Sequence, residues 1–247
     1  MYLSQSAGLH GTITVPGDKS ISHRAVMLGA LADGDTHITG FLMGEDCLST
    51  IDCFRRMGVQ IEATEHEVLV HGAGLHGLKQ PDKALYTGNS GTTTRLLCGI
   101  LAGQPFPVQI SGDASIQKRP MGRIMTPLRQ MGADITGIHQ NYCPLKIHPV
   151  PSLRGISYTL PVASAQLKSA ILLAGLYANS PTHIIEPAPS RDHTERMLRA
   201  LGAEVQFENN HVTLIPPRNL ISKDIAVPAD ISSAAFEHFC VPPHRSP

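Results

Sequence analysis

The chain is 247 residues long and carries 20 Lys+Arg against 20 Asp+Glu, so its formal net charge at neutral pH is zero. At about 1.6 times a ~150-residue domain it has room for one large domain or two small ones, and such a chain buries on the order of 70% of its unfolded surface without needing a disulfide or metal. Hydrophobic residues at 42% with 16% charged residues exclude a disordered chain. A neutral balance excludes an overall electrostatic footprint for nucleic acid or an anionic membrane, and 4% aromatics with no Trp argue against a base-stacking surface.

In chain order, Met1–Gly17 holds two expected strands; it lacks the basic and apolar regions of a signal peptide. PGDKSISHR (Pro16–Arg24) follows. Gly17 allows a turn, Asp18 can cap a helix, and Lys19, Ser20 and Arg24 fall in its first turns, the last two on one face. Two cations and a hydroxyl at a helix start suit an anion; an ordinary capped surface helix is the competing reading. The helix and strand in His23–Gly40 are followed by a second helix, a Gly and a hairpin in Cys53–Gly72. GAGLHG (Gly72–Gly77) matches G-x-G-x-x-G, but Leu78–Pro81 reads as a loop and no acidic residue lies about 20 positions on, so a dinucleotide site is rejected.

TGNSGTTTRLL (Thr87–Leu97) runs two glycines and small hydroxyls into an apolar helix. Free N–H groups there can cradle phosphate or carboxylate; a plain βα turn is the alternative. Thr94–Gly112 gives the second helix–strand element. In DASIQKRPMGR (Asp113–Arg123), Lys118, Arg119 and Arg123 gather where a helix should begin, against its dipole. Such a broken local rule marks a functional candidate, with an exposed solvated patch as the other reading. Pro127–Pro149 is the second helix–Gly–hairpin. PVASAQLKSA (Pro161–Ala170) places Ser164, Gln166 and Lys168 before a very apolar helix. Neutral donors suit a polyhydroxylated or phosphorylated ligand; a cap plus a snorkelling Lys is equally open. Leu167–Glu186 and Met197–Pro217 repeat the two elements a third time. Between them, SRDHTERM puts Arg191 at the opening of a helix that Asp192 or Thr194 can cap. PADISSAAF begins a last helix, and EHFCVPPHRSP reads as unstructured.

The threefold similarity has a period of about 70–75 residues and gives β-α-β-α-β-β units. The first helices, apolar nearly all round, belong at the centre and the second, with Arg and Asp, half exposed. The glycines after Met57, Met131 and Leu201 read as helix C-caps. The expected fold is α/β, an α-β prism of three units with helices inside and small mixed sheets outside. The helix starts then share one end, making a concave, cationic, hydroxyl-rich surface for one or two small phosphorylated anions. Cysteines 47, 53, 98, 143 and 240 are odd in number and lack C-x-x-C spacing, so reduced thiols in a cytoplasmic protein are expected. The 13 scattered histidines give no metal cluster, and the longest apolar run, near Ile171–Leu173, is far below the ~20 residues of a membrane span.

Taken together and in order, PGDKSISHR, GNSGTTTR, QKRPM, PVASAQLKSA, SRDHTERM and PADISSAAF resemble the 5-enolpyruvylshikimate-3-phosphate synthase family, in its bacterial class II form, over roughly Leu9–Phe236. The resemblance implies one lobe of a two-lobed fold: residues 18–229 as the N-terminal lobe, with units 18–86, 87–160 and 161–225. Residues 1–17 would be strands that pack in the other lobe, frayed or packed non-natively here. Residues 230–247 would be the start of that lobe followed by a tail outside the family pattern, as from a frameshift, truncation or cloning junction. It implies transfer of enolpyruvyl from phosphoenolpyruvate to the 5-hydroxyl of shikimate 3-phosphate, with no metal or organic cofactor. By resemblance, Lys19 meets both substrates and is catalytic. Ser20, Arg24, Ser164, Ala165, Gln166 and Arg191 contact shikimate 3-phosphate, with Gln166 also facing phosphoenolpyruvate. Gly91 and Arg119 contact phosphoenolpyruvate beside Asn89. Glyphosate is the implied inhibitor, its site unobstructed at Gly91. The resemblance further implies no nucleic-acid or membrane partner, a monomeric full enzyme, a fragment able to self-associate, and only about half of an active site in this chain; the alternative is a non-catalytic substrate-binding half that needs a C-terminal lobe in trans.

Overall fold

The computed structural model of the chain describes residues 14–65 and 67–240. The strands expected in Met1–Gly17 lie largely outside the described residues, as does the tail beyond residue 240. The first long helix of each unit starts on a side-chain cap. Asp18 accepts from Ile21 N at 2.8 Å before α1 (Lys19–Leu31), Ser90 from Thr93 N at 3.1 Å before α3 (Gly91–Leu101), and Ser164 from Leu167 N at 3.4 Å before α6 (Ala165–Gly175). Each cap satisfies a donor that the first helical turn leaves free. These are the helices read as apolar all round. Ala25–Leu31, Leu96–Leu101 and Ala170–Ala174 are buried almost without exception, and α3 packs along α6 in the most extensive helix–helix contact.

A second, amphipathic helix follows in each unit: α2 (Glu45–Arg56), α5 (Gly122–Gln130) and α7 (His193–Ala200). Each ends at a glycine with positive φ, Gly58 (+86°), Gly132 (+99°) and Gly202 (+91°), as a left-handed C-cap requires. A second threefold feature was not visible beforehand. Arg55, Arg129 and Arg199, three residues before those glycines, each turn back and donate to the carbonyl six residues on, Ile61, Ile135 and Val205. The guanidinium thereby ties each helix end to the strand that leaves it.

The hairpins pair as expected: β2 (Gln60–Ala63) with β3 (Glu67–Ala73), β6 (Asp134–Ile138) with β7 (Tyr142–His148), and β10 (Val205–Glu208) with β11 (His211–Leu214), all antiparallel. Antiparallel to these run β1 (Asp33–Thr39), β5 (Val108–Ser111) and β9 (Thr182–Ile185). A short parallel strand completes each sheet: β4 (Leu85–Tyr86) beside β5, β8 (Ser157–Thr159) beside β9, and β12 (Ile225–Ala226) beside β1. The result is three four-stranded mixed sheets, ordered β12-β1-β3-β2, β4-β5-β7-β6 and β8-β9-β11-β10. The expected α/β architecture of three small sheets around central helices is therefore present. Around the junction with β12, Gly17 bridges Ala229, Asp18 N donates to Pro228 O at 2.8 Å and Asp230 N to Pro16 O at 2.8 Å.

Three local expectations need correcting. A one-turn helix, α4 (Ala114–Gln117), precedes α5, so Lys118 and Arg119 follow a helix end rather than open one; only Arg123 sits in the first turn of α5. Neither Asp192 nor Thr194 caps α7. The Asp192 carboxylate accepts from Arg196 instead, and the Thr194 hydroxyl is taken by Arg24 and Ser169. The last helix, α8 (Ile231–Cys240), continues into the segment read as unstructured as far as Cys240, because no residue up to there breaks a helix; the remainder of that segment lies outside the described residues. Among the described residues no helix is long and apolar enough to cross a membrane.

Candidate active site

The starts of α1, α3 and α6 meet at one end of the lobe and surround three adjoining cavities. Gln166 lines all three. Its side chain bridges two helices: Oε1 accepts from Arg95 Nη1 at 3.0 Å, and Nε2 donates to Thr92 Oγ1 at 3.0 Å. The middle cavity, about 270 Å³, is walled by Lys19, Asp46, Asn89, Gly91, Arg95 and Arg119. Lys19 Nζ lies 3.2 Å from Asp46 Oδ2, both partly exposed. Arg119 Nη2 donates to Asn89 Oδ1 at 2.8 Å and to Ser115 Oγ at 3.2 Å, which holds the guanidinium against the Asn89–Gly91 turn.

A smaller cavity of about 110 Å³ is lined by Ser20, Arg24, Ala165, Gln166, Arg191 and His193, with Thr92 shared. Arg24 is 4% exposed and fully fixed: Nε donates to Thr194 Oγ1 at 2.7 Å, Nη2 to Ser169 Oγ at 2.7 Å and Nη1 to Ser20 O at 2.9 Å. Burial lowers its pKa to about 10, with Glu195 and Asp18 opposing that fall, so the guanidinium remains charged at neutral pH. Arg191 reaches Ser20 Oγ at 3.4 Å and Ser232 Oγ at 3.5 Å. Burial together with Arg24 lowers the pKa of the neighbouring His193. Ser164, the α6 cap, lines the third and largest cavity, about 550 Å³, with Arg95, Arg119 and Arg123.

Of the candidates named from sequence, Lys19, Ser20, Arg24, Asn89, Gly91, Arg119, Arg123, Ser164, Ala165, Gln166 and Arg191 thus line these cavities, and Lys118 and Lys168 do not. Asp46 is the one carboxylate among the lining residues, against Lys19, Arg24, Arg95, Arg119, Arg123 and Arg191. Such a surplus of fixed cations is arranged for anionic ligands. Sequence reasoning missed Arg95 and Asp46. Arg95 carried a usable signal, standing four residues after Gly91 on the same face of α3. Asp46 carried none, because an acid in the first turn of α2 reads as a dipole partner.

Lys168 is not a donor to the cavities. It is fully buried beneath them, 2.7 Å from Glu186 Oε2 and 2.6 Å from Glu195 Oε1, and Ser190 donates to Glu186 Oε1. One helical turn inside α1, the His23 ring is buried against Thr50, Nδ1 to Oγ1 2.7 Å, and Thr50 contacts Thr93 at 2.8 Å. Burial is the main cause that lowers the His23 pKa to about 4, with Asp46 opposing and Arg24 and Lys19 adding to it. The described cysteines, Cys47, Cys53, Cys98 and Cys143, are buried thiols whose pKa values burial raises.

A three-sheet α/β lobe with a cationic cleft formed by helix starts is the architecture of an enolpyruvyl-transferase lobe. The family model described as EPSP synthase (3-phosphoshikimate 1-carboxyvinyltransferase) matches residues 3–240, and the chain belongs to that family. It is 59% identical over 231 residues to the 3-phosphoshikimate 1-carboxyvinyltransferase of Geobacillus kaustophilus, covering 93% of this chain and 54% of that protein. It is 56% identical over 234 residues to that of Hydrogenovibrio crunogenus, covering 92% and 53%. The solved EPSP synthase of Acinetobacter baumannii superposes with a TM-score of 0.89 at 55% identity, covering 93% of this chain and 52% of that one. The chain spans about half the length of the curated relatives it matches.

Proposed function

We propose that this chain supplies one half of the active site of a 3-phosphoshikimate 1-carboxyvinyltransferase, which moves enolpyruvyl from phosphoenolpyruvate to the 5-hydroxyl of shikimate 3-phosphate. The observation that carries the reading is the convergence of Lys19, Arg24, Arg119, Gln166 and Arg191 on cavities that adjoin through the hydrogen-bonded pair Thr92 and Gln166. Two anions bound side by side need such a bridge between their pockets. The smaller cavity, with Ser20, Arg24, Ala165 and Arg191, takes the phosphate end of shikimate 3-phosphate, and Ser164 and Gln166 hold its ring. The middle cavity, with Asn89, Gly91, Arg95 and Arg119, takes phosphoenolpyruvate; glyphosate, an anion of similar size, competes there.

The acceptor hydroxyl gives up its proton as its oxygen bonds to the enolpyruvyl carbon, and the methylene gains a proton to become a methyl; loss of a methyl proton and of phosphate then restores the double bond. Lys19, at the mouth of the middle cavity, lies where it can touch both ligands and stabilise the charge that develops between them. A second lobe closing over the cleft completes the proton-transfer groups and excludes water. Four buried free thiols are in keeping with a reducing, cytoplasmic setting.

The test is a titration of the purified chain with shikimate 3-phosphate and phosphoenolpyruvate, with phosphate release followed in the same sample, before and after adding the C-terminal half of a close relative. Binding of shikimate 3-phosphate by the chain alone, with phosphate release only after the second half is added, is the expected result. Absence of shikimate 3-phosphate binding overturns the assignment of the cavities. Release at an enzymatic rate by the chain alone overturns the half-site reading.

A further inference from the structure

In the scheme above the largest of the three cavities takes no anionic group; of its lining only the shared wall and Ser164 have a task. It measures about 550 Å³, within the range of small-ligand pockets. Arg95 and Arg119 reach it from the side of the middle cavity, and Arg123 and Asn141 close it from the other side. No carboxylate lines it. Arg123 stands in the first turn of α5, with no acidic residue in that turn, so the helix dipole opposes its charge. It makes no ion pair or hydrogen bond among the described residues. Arg119 and Arg123 both act to lower the pKa of Arg95, after burial, the largest cause. Three guanidiniums around one concavity, without an acid among the lining side chains, repel one another until an anion enters.

We infer that the cavity bounded by Arg95, Arg119 and Arg123 is a further oxyanion subsite, distinct from those at Lys19 and at Arg24, and that it takes inorganic phosphate. Arg123 is its discriminating residue, since it lines this cavity and neither of the others. This site and the one at Lys19 share Arg119 and the Arg95–Gln166 hydrogen bond as a partition, so phosphate can pass from one to the other across side chains alone. If the transfer proposed above occurs, the subsite receives the phosphate it releases; phosphate binding itself does not rest on that reading.

The experiment is calorimetric titration of the purified chain with inorganic phosphate, repeated on Arg123→Gln and on Lys19→Met. Three binding events are expected in the parent chain, one of them at the Arg24–Arg191 pocket. Arg123→Gln should weaken a second by about tenfold or more, the loss of a charge-assisted contact, and Lys19→Met should weaken the third. Arg123→Lys should retain most of the affinity, and Asn141→Asp, which adds a carboxylate to the rim, should weaken the same event as Arg123→Gln. Melting temperatures of the variants report whether each is folded, and Asn141→Asp serves where Arg123→Gln is not. No phosphate binding, a single event abolished by Lys19→Met, or an unchanged titration in both Arg123→Gln and Asn141→Asp overturns the inference. A chain that fails to bind shikimate 3-phosphate yet loses a phosphate event in Arg123→Gln overturns the proposed function and leaves the subsite standing.

Discussion

A Cβ added to Gly91 would fall 2.6 Å from Nη1 of Arg95, and 3.1 Å from Nη1 of Arg119. The first residue of α3 is therefore the floor on which both guanidiniums of the middle cavity rest. Both neighbours are tips of flexible side chains, so an alanine is accommodated by moving cations rather than backbone. Gly91→Ala should change stability by less than about 1 kcal/mol, since alanine also favours the helix. It should weaken phosphoenolpyruvate binding while leaving shikimate 3-phosphate binding near its original value. Thermal melts and paired titrations check this; equal weakening of both ligands would show that the two pockets are not separately controlled.

Lys168 neutralises two acids in a position closed off from the surface. Lys168→Met leaves Glu186 and Glu195 close together and buried, and removal of one partner from a buried pair costs about 3–5 kcal/mol. The triple variant with Glu186→Gln and Glu195→Gln should recover a large part of that loss. Urea unfolding of the parent, single and triple variants reads both numbers. A single variant as stable as the parent would contradict the burial of the triad.

Arg24 joins α1 to α6 and α7 through Ser20, Ser169 and Thr194. Its replacement by Met removes the buried charge beside Glu195, while Ser169 and Thr194 remain hydrogen-bonded to each other at 2.7 Å. A loss of about 2–4 kcal/mol is expected, together with loss of shikimate 3-phosphate binding. Arg24→Lys should restore the charge without the three-way geometry and recover stability more than binding.

His23 predicts an acid limit. Its folded pKa, about 4, lies below the ordinary 6.5, so the unfolded chain binds the proton more readily. The stability it preserves is complete above pH 6.5 and is lost as pH falls towards 4, reaching roughly 3 kcal/mol. His23→Gln should flatten the stability profile between pH 6.5 and 4. A variant with the same acid slope as the parent would assign that slope to other groups.

Much of the architecture was legible because the repeat is written in short-range signals. The glycines after Met57, Met131 and Leu201 mark helix ends, and alternation after each marks a strand. What escaped notice depends on contacts distant in sequence. The strands β4, β8 and β12 are two or three residues long, too short to show a period, and each exists because a longer neighbour offers it an edge. The cap chemistry of Asp18, Ser90 and Ser164 was partly visible, and with it the convergence of the site. Asp192 and Thr194 also read as caps, but Arg196 and Arg24 claim their oxygens, and no local rule reveals such competition. Lys168 looked like a surface lysine because its partners lie 18 and 27 positions further on, at Glu186 and Glu195.

The pairing of β12 with β1 brings Pro16 and Asp230 within one hydrogen bond of each other. The lobe is thereby a cassette whose entry and exit lie side by side. A cassette of that kind can be spliced into a host domain at a single surface position without stretching either partner. Joining residues 16 and 230 by a short linker and opening the chain at an exposed turn such as His139–Gln140 should yield a circular permutant with the same three sheets.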